Sequence, residues 1–86
     1  MELTVFTSAF CEPCMQTRAV VAEAVRLVPA ISVRELDVVR NETLAAAERI
    51  RSTPTVIVHD SRGTEVFRAE GVPTVQQVLV AVAKAL

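Results

Sequence analysis

Ser8-Ala9-Phe10-Cys11-Glu12-Pro13-Cys14-Met15 holds both cysteines of the chain, two residues apart with a proline between them. Such a pair can clamp a metal, staple a fold, or form a redox centre that opens and closes. The staple is weak on physical grounds, because so small a loop removes little entropy from the unfolded chain and reducing cytosol seldom keeps a permanent disulfide. A structural zinc ion takes four Cys or His ligands, whereas only Cys11, Cys14 and the distant His59 are on offer. A Cys-x-x-Cys points to redox chemistry when a β-α-β pattern surrounds it, so the flanks decide.

Upstream, Leu3 to Thr7 is short, β-favouring and apolar at Leu3, Val5 and Phe6, which predicts a mostly buried strand ending at the cysteine loop. Downstream, Thr17, Val20, Val21, Ala24, Val25, Leu27 and Val28 repeat at helical spacing. Pro13 suits a first helical turn and Pro29 a stop, so Cys11 falls at a helix N-terminus. Ile31 to Val38, with Arg34 and Glu35 inside it, reads as an edge strand. Asn41 is a candidate cap for a second helix running to about Ile50. After the break at Ser52-Thr53-Pro54, Thr55 to His59 is a β-branched run typical of a buried strand, Asp60 to Gly63 a turn, and Thr64 to Arg68 its partner strand. Thr74 and Gln77 form a T-x-x-Q capping box for a last helix that turns Val75, Val78, Leu79, Val82 and Leu86 inward. The order β-α-β-α-β-β-α predicts one α/β domain over residues 1–86, a four-stranded mixed sheet with helices on both faces.

The totals agree. A chain of 86 residues, 51% hydrophobic and 22% charged, has the composition of one folded domain. Nine basic against ten acidic side chains give no field for nucleic acid or anionic lipid. The opening Met1-Glu2-Leu3-Thr4-Val5-Phe6 lacks the pattern of a signal peptide and no run is long enough to span a bilayer. The expectation is a cytoplasmic monomer without nucleic-acid or membrane partners.

Cys11-Glu12-Pro13-Cys14 after the first strand, together with Ile50-Arg51-Ser52-Thr53-Pro54-Thr55, resembles the two motifs of the thioredoxin fold in its minimal, glutaredoxin-sized form. Gly63-Thr64-Glu65-Val66 and Gly71 ahead of the last helix lean toward thioredoxin rather than glutaredoxin. The likeness covers essentially the whole chain. It implies a cis peptide at Thr53-Pro54, a Thr53 backbone that pairs with an extended substrate segment, and Gly71 and Val72 facing the same groove. Phe10, Glu12 and Pro13 would border that groove beside the cysteines. The sequence departs from the family at three places: Phe10 stands where tryptophan is usual, Met15 where lysine is common, and Val5 where a buried acid is thought to help deprotonate the resolving thiol. Resolution then falls to another base or to water; Glu2 and Glu35 are the nearest acids, both expected on solvated faces, and His59 is given no role.

A helix N-terminus stabilises a thiolate through its free N–H groups and partial positive charge. That assigns Cys11 as nucleophile and Cys14, one turn inward, as resolving thiol in a disulfide reductase. No bound cofactor is expected; the partners are protein disulfides and an electron donor of the thioredoxin-reductase type. The alternative is a glutathione-dependent glutaredoxin, against which stand the absence of a cation in Thr7 to Phe10 and the acidic Glu70 beside Gly71. A module binding metal or an iron–sulfur cluster between two chains is a third reading, disfavoured by the stiff Pro13.

Overall fold

The computed structural model describes residues 1–86, and its central strand follows from burial. In β1 (Glu2–Thr7) every residue from Leu3 to Thr7 is buried, on both faces of the strand. Only a strand flanked by neighbours and covered above and below can achieve this. The chain continues through α1 (Glu12–Leu27), β2 (Ser32–Asp37), α2 (Glu42–Ala47), β3 (Thr55–His59), β4 (Glu65–Glu70) and α3 (Val75–Ala85). The sheet order is β2-β1-β3-β4, with β2 parallel to β1 and the other two pairings antiparallel. This is the α/β architecture predicted from the sequence, with β2 at the expected edge.

Leu3 and Val5 of β1, with Val56 and Val58 of β3, pack against Val21 and Ala24 of α1 and Val78 and Val82 of α3. On the opposite face Phe6 and Ile57 meet Ala45 of α2 in a much smaller cluster. Strand alternation accounts for this division, since successive side chains point to opposite faces. No helix is long and apolar enough to cross a membrane.

Four boundaries and faces ahead of the last helix differ from expectation. Leu27 is exposed, because the helix ends there and Val28, its N–H bonded to the Ala24 carbonyl at 2.8 Å, packs inward instead. α2 stops at Ala47, three residues short of Ile50. Arg49 takes φ 56°, its N–H bonding Ala46 O at 3.1 Å while Ile50 N–H bonds Ala45 O at 2.9 Å. This is a Schellman ending with arginine where glycine is usual. Asn41 occupies the N-cap position without capping; its Nδ2 donates back to the Asp37 carbonyl at 2.9 Å and its oxygen caps no backbone N–H. β4 runs on to Glu70, which still pairs with Thr55.

In α3 the capping box forms in both directions: Gln77 N–H donates to Thr74 Oγ1 at 3.1 Å and Thr74 N–H to Gln77 Oε1 at 2.9 Å. The buried face is Val78, Ala81, Val82 and Ala85; Leu86 lies beyond the last turn and is exposed, contrary to expectation. Thr74→Ala leaves the Gln77 N–H without its acceptor and is expected to cost about 1 kcal/mol. The check is a lower urea midpoint at unchanged m-value.

Candidate active site

The cysteine site is built where β1 runs out. Beyond Thr7 the chain turns through Ser8, Ala9 and Phe10 and enters α1 with Cys11 as N-cap, in the extended conformation that a cap requires. Cys11 Sγ accepts the backbone N–H of Cys14 at 3.1 Å, the role a serine or aspartate oxygen plays at other helix starts. Pro13 sits in the first turn, and its carbonyl accepts the Thr17 hydroxyl at 3.0 Å. Cys11 and Cys14 are joined as a disulfide. Their accessibilities differ: Cys14 is 0% exposed, whereas Cys11 is only partly covered.

Around Cys11 the surface mixes apolar and polar side chains. Phe10 is fully exposed at φ 55°, a left-handed conformation that costs a bulky residue on the order of 1–3 kcal/mol. Met15 is 64% exposed, and Glu12 and Pro13 also face outward. Phe10, Cys11, Glu12, Met15 and Arg18 line an open depression of about 730 Å³.

The second loop approaches from β3. Thr53-Pro54 is a cis peptide and Pro54 is buried. The Thr53 hydroxyl lies 2.6 Å from that of Ser8, and the Pro54 carbonyl accepts the Gly71 N–H at 2.9 Å. Gly71 adopts φ 91° with open space where a Cβ would project, so glycine answers a backbone requirement there and not a close approach. Val72 is exposed at 40%. Of the residues singled out from sequence, Phe10, Cys11 and Glu12 share the depression, while Thr53, Pro54 and Gly71 form a separate hydrogen-bonded group that reaches the cysteine loop through Ser8. Ser8 went unnoticed in the sequence, because its partner is 45 residues away.

Neither of the two acids considered as a base, Glu2 or Glu35, is free to serve Cys14. Val5, at the position of the family's buried acid, is 2% exposed among apolar neighbours. Glu35 lies in register with Val5 on β2, but both its oxygens are taken by Arg18 at 2.7 and 2.8 Å, and this hydrogen bonding holds its carboxyl below the usual range. Glu2 sits 4.0 Å from Arg34, and alternation along β1 turns it to the face of Phe6, away from α1. Glu70 is paired with Arg51 at 2.6 Å, and its carboxyl is likewise lowered by that hydrogen bond. Its charge is therefore balanced, so it repels an incoming carboxylate less than its sequence suggests. His59 ends β3 near Glu48 and Glu65, three potential metal ligands within 4.8 Å. Arg68 bonds both Glu65 oxygens and lies 3.5 Å from Glu48, so its single positive charge already occupies Glu65 and offsets one of the two carboxylates.

Residues 1–84 match a family model described as thioredoxin. No curated protein matches the chain. Solved structures with the same fold include thioredoxin 1 from Thermosipho africanus, 20% identical, covering 98% of this chain and 92% of that one with a TM-score of 0.83. Thioredoxin from Fasciola hepatica is 22% identical over 99% of this chain and 80% of that one, at 0.82. Oxidised mitochondrial thioredoxin 3 from Saccharomyces cerevisiae is 17% identical over 96% and 73%, at 0.76. With the family matched almost end to end, and a cysteine pair that closes at the start of α1, the chain belongs to the thioredoxin family and is a thiol–disulfide oxidoreductase.

Proposed function

We propose that the protein reduces disulfides in other proteins by cycling Cys11 and Cys14 between dithiol and disulfide. The observation that carries this reading is the unequal placement of the two sulfurs: Cys11 Sγ sits at the helix start, accepting an N–H and partly accessible, while Cys14 is buried one turn inward. The Cys11 thiolate attacks one sulfur of the substrate disulfide, forming a mixed disulfide and expelling the other sulfur as a thiolate that takes up a proton. Cys14, having given up its proton, attacks Cys11 Sγ, releases the second substrate thiol and closes the internal disulfide. Two electrons and two protons from a reductase return the pair to the dithiol. No bound cofactor takes part.

Phe10, Glu12, Pro13, Thr53, Pro54, Gly71 and Val72 form the substrate-contacting surface in this reading, with the Thr53 backbone pairing to the substrate chain as the family likeness implies. Placing the strained, fully exposed Phe10 directly before the nucleophile fits an aromatic anchor for an extended polypeptide. The protein acts as a cytoplasmic monomer supplied by a thioredoxin-reductase-type donor.

Glutathione dependence remains the competing reading, because Arg51 balances Glu70. Insulin reduction coupled to a thioredoxin reductase is expected to exceed glutathione-driven turnover at least tenfold. A glutathione rate that saturates at low glutathione would overturn the reductase reading in favour of a glutaredoxin. Freshly purified protein is expected to be colourless and free of iron, the outcome that an inter-chain cluster would reverse.

A further inference from the structure

The β1–β3 ladder pairs Phe6 with Thr55 as its last register position toward the site. Beyond it the two strands lead into separate loops, one carrying Cys11 and the other Thr53. The ladder can no longer fix their spacing. Pro54 has no N–H to offer, and its carbonyl is taken by Gly71. The one hydrogen bond joining the two loops is between the hydroxyls of Ser8 and Thr53, 2.6 Å apart and partly buried.

We propose that Ser8 is a positioning residue for substrate: its hydroxyl holds Thr53 at the distance from Cys11 that lets one extended polypeptide pair with the Thr53 backbone while its disulfide meets the Cys11 sulfur. This rests on the reductase reading above. Ser8 lines the depression beside Cys11, and the role assigned to it is exerted through its hydrogen bond to Thr53. A disulfide without a polypeptide backbone has nothing to pair at Thr53 and gains nothing from the spacing, so the contribution of Ser8 is specific to protein substrates. A net hydrogen bond of ordinary strength corresponds to roughly a 2- to 12-fold effect.

The test compares wild type, Ser8→Ala, Ser8→Thr, Thr53→Val and the double variant Ser8→Ala/Thr53→Val, with insulin and with a small aromatic disulfide as substrates. In Ser8→Ala, KM for insulin is expected to rise roughly 2- to 12-fold with kcat held, and the preference for insulin over the small disulfide to fall by the same factor. The reduction potential of the Cys11–Cys14 pair is expected to stay at the wild-type value, a readout that general disruption of the loop would move. Ser8→Thr restores the insulin KM. The double variant loses no more than either single one, because each removes the same bond. An unchanged insulin KM, an equal loss on both substrates, or fully additive losses would each overturn the assignment while leaving the reductase reading intact. A wild-type protein that reduces the small disulfide but not insulin would sink the reductase reading, and this inference with it.

Discussion

Cys14→Ser is expected to attack a substrate disulfide once and then stop, whereas Cys11→Ser is expected to show no reduction above background. The sulfur that meets substrate must be reachable, and Cys14 is fully buried behind the first turn of α1 while Cys11 caps it. Removing Cys11 deletes the only accessible nucleophile. Removing Cys14 leaves the attack intact and deletes the group that resolves the intermediate, so turnover falls by orders of magnitude while the first step survives. The stalled species is a covalent adduct with its protein partner, visible on a non-reducing gel and released by dithiothreitol. In the native dithiol, Cys11 should alkylate well before Cys14. Equal rates of alkylation, or a trapped adduct in Cys11→Ser, would reverse the assignment.

Val5→Asp carries the largest expected effect on stability. Val5 is packed with Leu3, Val21 and Val56 and is 2% exposed, and Arg18, which lines the same hollow, is already paired with Glu35 through Nε and Nη2. The substitution removes an apolar side chain worth about 1.5–3 kcal/mol and buries a carboxyl lacking a partner, at a further ~1–3 kcal/mol. Burial also raises the carboxyl's pKa in the folded state above its unfolded value. The sign is then fixed. Below about pH 4 the group is protonated in both states and adds no electrostatic cost; above it, stability falls by about 1.4 kcal/mol per pH unit until the raised folded pKa is passed. A domain of 86 residues has roughly 4–13 kcal/mol in all, so the variant should lose a large share of its stability at neutral pH and recover part of it near pH 4. Urea titrations at the two pH values measure this directly. Equal destabilisation at both would mean that water reaches position 5 or that Arg18, in the same hollow, turns to the new carboxylate.

The fold was legible because its signals are local. A buried apolar strand, a Cys-x-Pro-Cys at a helix start and a reciprocal Thr74–Gln77 cap each lie within a few residues, and each is found where the sequence places it. The misjudged ends depended on contacts that no local pattern encodes. Asn41 looks like a cap, yet its amide is turned back to the Asp37 carbonyl, and Arg49 gives no hint of the left-handed turn that ends α2. The site divided in the same way. Cys11 and Cys14 announce themselves through spacing, whereas the Ser8–Thr53 contact and the two engaged carboxylates, Glu35 with Arg18 and Glu70 with Arg51, join distant segments and needed the folded geometry.

The exposed edge at β2 has a consequence for self-recognition. Two copies that joined these edges into one continuous antiparallel sheet would be related by a two-fold axis perpendicular to it, which places some residue opposite its own copy. Within Ser32–Asp37 the longest such overlaps are centred on Arg34 or on Glu35. The first sets guanidinium against guanidinium at the dyad and the second carboxylate against carboxylate, each a like-charge cross-strand pair that the partners Glu2 and Arg18 offset only in part. Sliding the axis to Val33 or Leu36 avoids the clash but shortens the shared ladder to about three residues a strand, fewer than the usual strand length. Parity and charge together thus make this open edge a poor template for its own copy, though it stays available to a strand of different sequence.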